Sequence, residues 1–469
     1  MLIHQPLPFV RHFVDLIDAA LASYHPGWQL SRLQKTWLAF CVSAVLLTNQ
    51  INWAQFERTS LGRYRLAALA WMFRHSKILW ERLLPMSVRV ILRSYGIREG
   101  LLVLDDSSKH RSKHPRQLSY VHLLKDPGTG GYFMGQALLF LLLVTPLITV
   151  PVGFAFYQPD PAWKAWQKQD KALRATGIPA RSRPCKPARN PAYPTKQELA
   201  LRLLEQFRAD HPEVLIKAIL ADALYGTGTF MEAASLLFGG LQVISHLHAN
   251  QKVRYRTQTL SLQQYVATHP GTPQTICLRG GETRTVWVTS ARLYVTAHKA
   301  KRFVIALQYE GEEDYRYLVA CDLTWRTLDI VQAHSFRWLV EVFLQDWKAH
   351  EGWDHLTKQQ GEEGSRRSLI LSLLVDHCLF FHPRQKARLE HKLSAYTVGS
   401  LQQHLSEEAL LTFIQDLLAA DDPQTQVEQL ARLLEEHADT LLRPSTKHMV
   451  GRQMGHLEPA PSLKYRASA

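Results

Sequence analysis

Along residues 1 to about 98, apolar positions recur at intervals of three and four, as in "SRLQKTWLAFCVSAVLLT" and "ILWERLLPMSVRVILRSYG", with basic residues between them. That period predicts amphipathic helices. From Leu101 the pattern changes to strand, strand, strand, helix, strand, helix, strand, with apolar runs of strand length. One run, "YFMGQALLFLLLVTPLITVPVGFAFY" from Tyr132 to Tyr157, carries no charge and is long enough to cross a bilayer. Pro146, Pro151, Gly135, Gly153 and the β-branched and aromatic second half predict instead two buried strands turning at "TPL". Helix "KQELALRLLEQFRADHP", strand "VLIKAILAD", helix "GTFMEAASLLF" and strand "LQVISHLH" follow.

Residues 250–332 return to short strands separated by polar turns, "RTVWVTSARLYVT", "RFVIALQYEG" and "YRYLVACDLT", which predict a β-rich insertion. Helical period resumes in "SFRWLVEVFLQDWKAHEGWDHL" and in the largely apolar "RRSLILSLLVDHCLFFHP". Beyond about residue 385 lie amphipathic helices and, from Pro444, a polar tail expected to be disordered. The resulting organisation is a helical N-terminal region (1–98), a first α/β part (99–249), the insertion (250–332), a second α/β part (333–384) and a helical C-terminal region with its tail (385–469). The N-terminal helices suit either a DNA-binding unit or a scaffold packed on the next domain; no helix-turn-helix signature decides between them.

Composition adds partners to this picture. With 469 residues and 46% hydrophobic content the chain is globular and large enough for two to four units. Lys plus Arg number 55 against 41 Asp plus Glu, a net charge of +14 and a pI near 9.5, which draws the chain to polyanions, nucleic acid being the commonest. The Pro-rich basic stretch Arg174 to Lys196 reads as a mobile loop, either gripping phosphates or simply solvated. Five scattered cysteines without C-x-x-C spacing exclude a zinc ribbon or redox motif and fit a reducing cytoplasm. The N-terminus shows no compact signal-peptide core, so a cytoplasmic location is expected, with no membrane partner.

The candidate chemistry lies where apolar runs meet acids. "LLVLD" ends at Asp105 and "IKAILAD" at Asp222, and the carboxyl ends of strands are where open α/β sheets assemble sites. Glu341 lies in the helix "FRWLVEVFLQDWK". Taken singly, each aspartate is better read as a turn residue and Glu341 as a solvated helix charge. Together, on neighbouring strands under a packed helix, three carboxylates would repel unless cations neutralise them. Oxygen ligands of this kind suit magnesium or manganese, and two ions about 4 Å apart promote in-line phosphodiester displacement. Asp106 is the rival of Asp105; if the strand continues through both, alternation sends them to opposite faces. Asp106, Ser107 and Lys109 are then supporting groups. Trp287 is a candidate for base stacking, with a core role the stronger reading. His350, Asp354 and His355 match no metal-site spacing, and "YGTGTF" lacks the Lys of a phosphate loop.

The series Arg337, Glu341, Lys348 has the spacing R-x3-E-x6-K, and with "LDDSSK", "ILADALYG" and the β-rich insertion it resembles the Tyr-Arg-Glu-Lys signature of insertion-sequence transposases of the insertion-sequence-four superfamily, over about residues 100–383. The resemblance implies a ribonuclease H-like mixed sheet with flanking helices, interrupted by the insertion. It further implies a catalytic and metal-binding triad of Asp105, Asp222 and Glu341 with two Mg2+ or Mn2+ ions, and DNA contacts from Arg337 and Lys348. The signature tyrosine falls at His334, to which a base- or phosphate-contacting role carries over weakly; a surface His just ahead of a helix is the stronger reading. The implied activity is metal-dependent cleavage and strand transfer at inverted-repeat element ends and into target DNA, by a homodimer in the bacterial nucleoid. A catalytically silent DNA-binding repressor and a structure-specific nuclease of the same fold are the alternatives.

Overall fold

The computed structural model describes residues 5–111, 117–126, 128–277, 282–353 and 359–441. Five N-terminal helices, α1 (Pro8–Tyr24), α2 (Arg32–Thr48), α3 (Trp53–Thr59), α4 (Leu66–His75) and α5 (Trp80–Ser94), precede the first strands, β1 (Glu99–His110), β2 (Val121–Lys125), β3 (Tyr132–Val144) and β4 (Thr149–Tyr157). Then come α6 (Pro161–Ala175), α7 (Lys196–Asp210), β5 (Leu215–Ala221), α8 (Gly228–Leu237) and β6 (Gln242–Leu247). The next segment holds β7 (Lys252–Tyr255), β8 (Gln258–Ser261), α9 (Leu262–Thr268), β9 (Thr272–Cys277), β10 (Thr283–Val295), β11 (Ala300–Tyr309) and β12 (Arg316–Ala320). The chain closes with α10 (Thr327–Ser335), α11 (Trp338–His350), α12 (Gly361–Leu379), α13 (Pro383–Glu390), α14 (Val398–Leu418) and α15 (Pro423–Leu441).

The strands form one twelve-stranded mixed sheet flanked by helices. Its order is β2-β3-β1-β5-β6-β12-β11-β10-β7-β8, with β4 also on β3 and β9 also on β10. β1 runs antiparallel to β3 and parallel to β5, and β5 is parallel to β6. The uncharged run of the sequence folds as the two buried strands β3 and β4. Their turn is held by Thr145, whose hydroxyl accepts from the backbone N–H groups of Leu147 and Ile148 at 3.2 and 3.0 Å. No helix among the described residues is long and apolar enough to cross a membrane. β7 to β12 are indeed β-rich, but they extend the central sheet, since β12 pairs antiparallel with β6.

Three expectations change. The strand through "LLVLDD" does not stop at the acids: β1 continues to His110 because the long β3 pairs with it from Val144 back to Gly135. The helical run from Ser335 is broken, α10 ending at Ser335 and α11 starting at Trp338, and α10 begins at Thr327 inside the segment read as β-rich. The basic stretch 174–196 is irregular but pinned: Trp166 donates to the Pro184 carbonyl at 2.9 Å and Arg183 pairs with the buried Asp170 at 2.9 Å. Asp354, His355 and the tail from Pro444 lie outside the described residues.

The N-terminal helices pack against α12. Ser87 bonds His377 at 2.6 Å, the Phe13 and Phe381 rings meet at a tilt with centroids 5.2 Å apart, and both sides share one apolar core. On the opposite sheet face α11 lies over β1 and β3. Trp347, fully buried, meets Phe140 edge-on at 4.9 Å and stacks on Trp353 at 4.7 Å.

Beneath α11, Glu351 and Asp376 of α12 are both buried, and burial, reinforced for both by Asp346, holds the two carboxyls above the usual carboxylate range. A raised folded-state value means that their contribution to stability is present at low pH and lost as pH rises through it. Asp376→Asn, which keeps the shape and supplies an N–H to Glu351, is therefore expected to stabilise the protein by about 1–3 kcal/mol at mildly alkaline pH. In thermal melts that gain shrinks toward mildly acidic pH; an equal gain at all pH values would contradict the protonation account.

Candidate active site

Asp105 and Asp222 come together because β1 and β5 are parallel neighbours whose ladder ends on the pair Leu104 and Ala221, one residue before each acid. Alternation then sorts the two adjacent aspartates of β1. Val103 packs in the apolar cluster beneath α11, so Asp105 faces α11; Leu102 and Leu104 pack on the other side. Asp106, on that second face, accepts from the Tyr225 hydroxyl at 2.7 Å and pairs with Lys196 at the start of α7. The sequence expectation that a continuing strand sends the two acids to opposite faces is met by geometry.

Arg337 links the remaining groups. It caps α11, and its guanidinium donates from Nη1 to Asp105 Oδ2 at 3.4 Å and from Nη2 to Glu341 Oε1, one turn further along, at 2.7 Å. Arg337 and Asp105 side chains are each 16% exposed, whereas Glu341 is 51% exposed and Asp222 is exposed. Arg337 thus stands between two acids that would otherwise share a partly dry site, and its Nε is buried without a hydrogen-bond partner among the described residues. Lys348 lies in the last turn of the same helix. Among the described residues, no group of three His, Cys, Asp or Glu side chains stands within reach of one metal ion, the Glu341 carboxylate being turned onto Arg337.

Burial pushes the Asp105 carboxyl up to about 6; the Asp106 N–H, which donates to Oδ1 at 2.7 Å, and the Arg337 charge pull it down, while Asp222 and Asp106 push it up. Burial, more than the neighbouring acids, is what makes this carboxylate costly to ionise even with Arg337 beside it.

The structure moves His334 from the expected surface position to the buried last turn of α10. There its Nε2 is 2.8 Å from Nε2 of His246 on β6. Burial lowers both rings, His246 to about 4, so one neutral ring donates and the other accepts. His334 therefore presents no exposed edge to a ligand, and its buried position answers to the apolar neighbours Val331 and Ala333 in a short helix that the sequence pattern did not reveal.

Other residues at the site were missed in the sequence. Ser245 on β6 donates to the Asp222 carbonyl at 2.8 Å and so fixes the turn after β5. The added strands brace the same turn: His298 donates from Nε2 to the Gly226 carbonyl at 2.8 Å and accepts from Arg302 at 3.3 Å, while Arg302 pairs with Glu232 of α8 at 2.5 Å. A Cβ at Gly226 would lie 2.3 Å from the His246 carbonyl oxygen, so glycine is required by close approach. Only the "SHLH" run closing a strand hinted at polar groups here. Trp287 sits on β10 between the buried Val286 and Val288, half-buried on the opposite face.

No protein-family model matches the sequence, and no curated protein matches it.

Proposed function

We propose that the chain is a DNA transposase of the Asp-Asp-Glu type, cleaving and rejoining DNA strands at the inverted-repeat ends of an insertion sequence. The single observation that carries this reading is the meeting of Asp105 and Asp222 at the ends of parallel neighbouring strands, with Arg337 at the start of α11 bridging Asp105 to Glu341. The partial strand order β4-β3-β1-β5-β6, with α7 and α8 as crossovers, supports a ribonuclease H-like core, and β7 to β12 are then its insertion. The charge of +14 supports a DNA partner. Action as a homodimer on paired ends, in the bacterial nucleoid, belongs to the same proposal.

The donor set suits a hard divalent cation: carboxylates of Asp105, Asp222 and Glu341, with Asp105 held in a partly dry site. Magnesium or manganese, two ions in this reading, would supply Lewis acidity toward a water or 3′-hydroxyl and toward the leaving oxygen. The chain's own groups do the rest. Asp105 and Asp222 hold the site at the sheet, Glu341 swings from Arg337 to complete it, and the released guanidinium, with Lys348, holds the scissile phosphate.

The test is incubation of the full chain with the DNA that flanks its gene plus magnesium, reading strand ends on a sequencing gel. Nicks that leave a 3′-hydroxyl at repeat boundaries support the proposal; no metal-dependent nicking contradicts it. Nicking is expected to fall as pH drops through about 6, where Asp105 takes up its proton. Because the Arg337 charge holds that value down, Arg337→Gln should move the acid limb of residual activity to higher pH; an unmoved limb would argue against Asp105 as the titrating group.

A further inference from the structure

On the Asp106 side of the sheet, α6 and the Pro-rich segment after it enclose a cavity of about 380 Å³. It lies beside Asp106, on the sheet face away from Asp105: Tyr157 and Thr195 line it, and Lys196, which pairs with Asp106, lies 5.5 Å from the Tyr157 ring. Its walls join aromatic faces to cations and amides, and the one carboxylate among them, Asp160, accepts from the Ala162 N–H at 2.9 Å at the start of α6. Trp163 is half-buried with Lys186 Nζ 4.6 Å from its ring centroid, and Lys164 and Asn190 line the same space. Residues 160–196 carry nine Lys and Arg against two Asp.

The outer wall is built in advance. Prolines at 179, 184, 187, 191 and 194 restrict the backbone, and the Trp166–Pro184 hydrogen bond and Arg183–Asp170 ion pair tie it to α6. A preformed slot with an indole face, exposed ammonium groups at its rim and an amide within suits a flat heteroaromatic ring that carries an anion. Paired bases in a duplex hide their faces in the stack, so only an unpaired nucleotide could use it.

We propose that this cavity binds an unpaired nucleotide of single-stranded DNA, its base on Trp163 and its phosphate on Lys186 and Lys164. The proposal deepens the nucleic-acid reading above and rests on it for the source of the strand. Lys186 gives up its place over the indole to the incoming base and turns to the phosphate.

The experiment uses the full chain and fluorescence anisotropy with a labelled short oligothymidylate, a matching oligouridylate and a blunt duplex. Trp163→Ala is expected to weaken oligothymidylate binding by about tenfold or more, with Trp163→Phe recovering most of the loss. The loss is expected to be larger for the single strand than for the duplex. Lys186→Gln, at an exposed residue, should weaken the same complex and serves if Trp163→Ala fails to fold. Parent-like oligothymidylate binding by folded Trp163→Ala, or by Lys186→Gln where Trp163→Ala fails to fold, overturns the proposal, as does a loss confined to oligouridylate. Duplex nicking by the same preparations separates the two readings. Nicking with unchanged single-strand binding removes the pocket alone, whereas ring-dependent binding without nicking keeps the pocket and removes the transposase.

Discussion

Alanine at Asp105, Asp222 or Glu341 is expected to abolish magnesium-dependent DNA cleavage while leaving duplex binding in place. Loss of a group merely supporting a metal ligand costs roughly 10–100-fold, so loss of a ligand itself should exceed about a thousandfold. The three substitutions differ in what else they disturb. Asp105→Ala deprives Arg337 of one partner and leaves Glu341, whereas Glu341→Ala removes an exposed acid at the first turn of α11. Asp222 is exposed, and the turn after β5 is held by the Ser245 bond to its backbone carbonyl, which alanine keeps. Fold stability should therefore change little in all three, and thermal melts separate a lost reaction from a lost fold. Full cleavage by any one variant would reject that residue's assignment.

Trp347→Ala carries the largest expected effect on stability, about 3–5 kcal/mol. The indole is fully buried, and its Nε1 donates to Ser372 Oγ at 2.8 Å, which donates in turn to the Glu351 carbonyl at 2.8 Å. Its ring contacts Phe140, Phe343 and Trp353, tying α11 to the sheet on one side and to the chain beyond the helix on the other. Removing it opens a large cavity and costs Ser372 Oγ its donor, while α11 is the element that carries Arg337 and Glu341. Urea unfolding should show the loss, and Trp347→Phe should recover part of it. A cost below about 1 kcal/mol would mean that α11 is held by other contacts.

Much of this arrangement was legible before any coordinates. Apolar runs that meet acids marked Asp105 and Asp222, and period-two alternation announced the divergence of Asp105 and Asp106. The four-residue spacing of Arg337 and Glu341 places them on one helical face, where their side chains can meet, but their ion pair was not read from it. What stayed hidden depends on partners remote in sequence. The pairs Arg337–Asp105, His334–His246 and Lys196–Asp106 join residues from different elements, and nothing in local pattern selects one partner over another. The same holds for the basic stretch, whose composition reads as loose until Arg183 is seen on Asp170. α10 escaped notice because "TLDIVQAHS" spans little more than two turns, too short for a helical period to stand out against the strands before it. The extent of β1 was misjudged because polar residues from Asp106 onward mask a strand that β3 holds in place by pairing alone.

The central claim is that acids remote along the chain share divalent cations. Manganese titration of the full chain, followed by electron paramagnetic resonance of the free ion, tests it most directly. The account predicts saturable binding that Asp105→Ala, Asp222→Ala and Glu341→Ala each weaken or abolish. Binding identical in the parent and all three variants, or no saturable binding even with duplex DNA present, would contradict it.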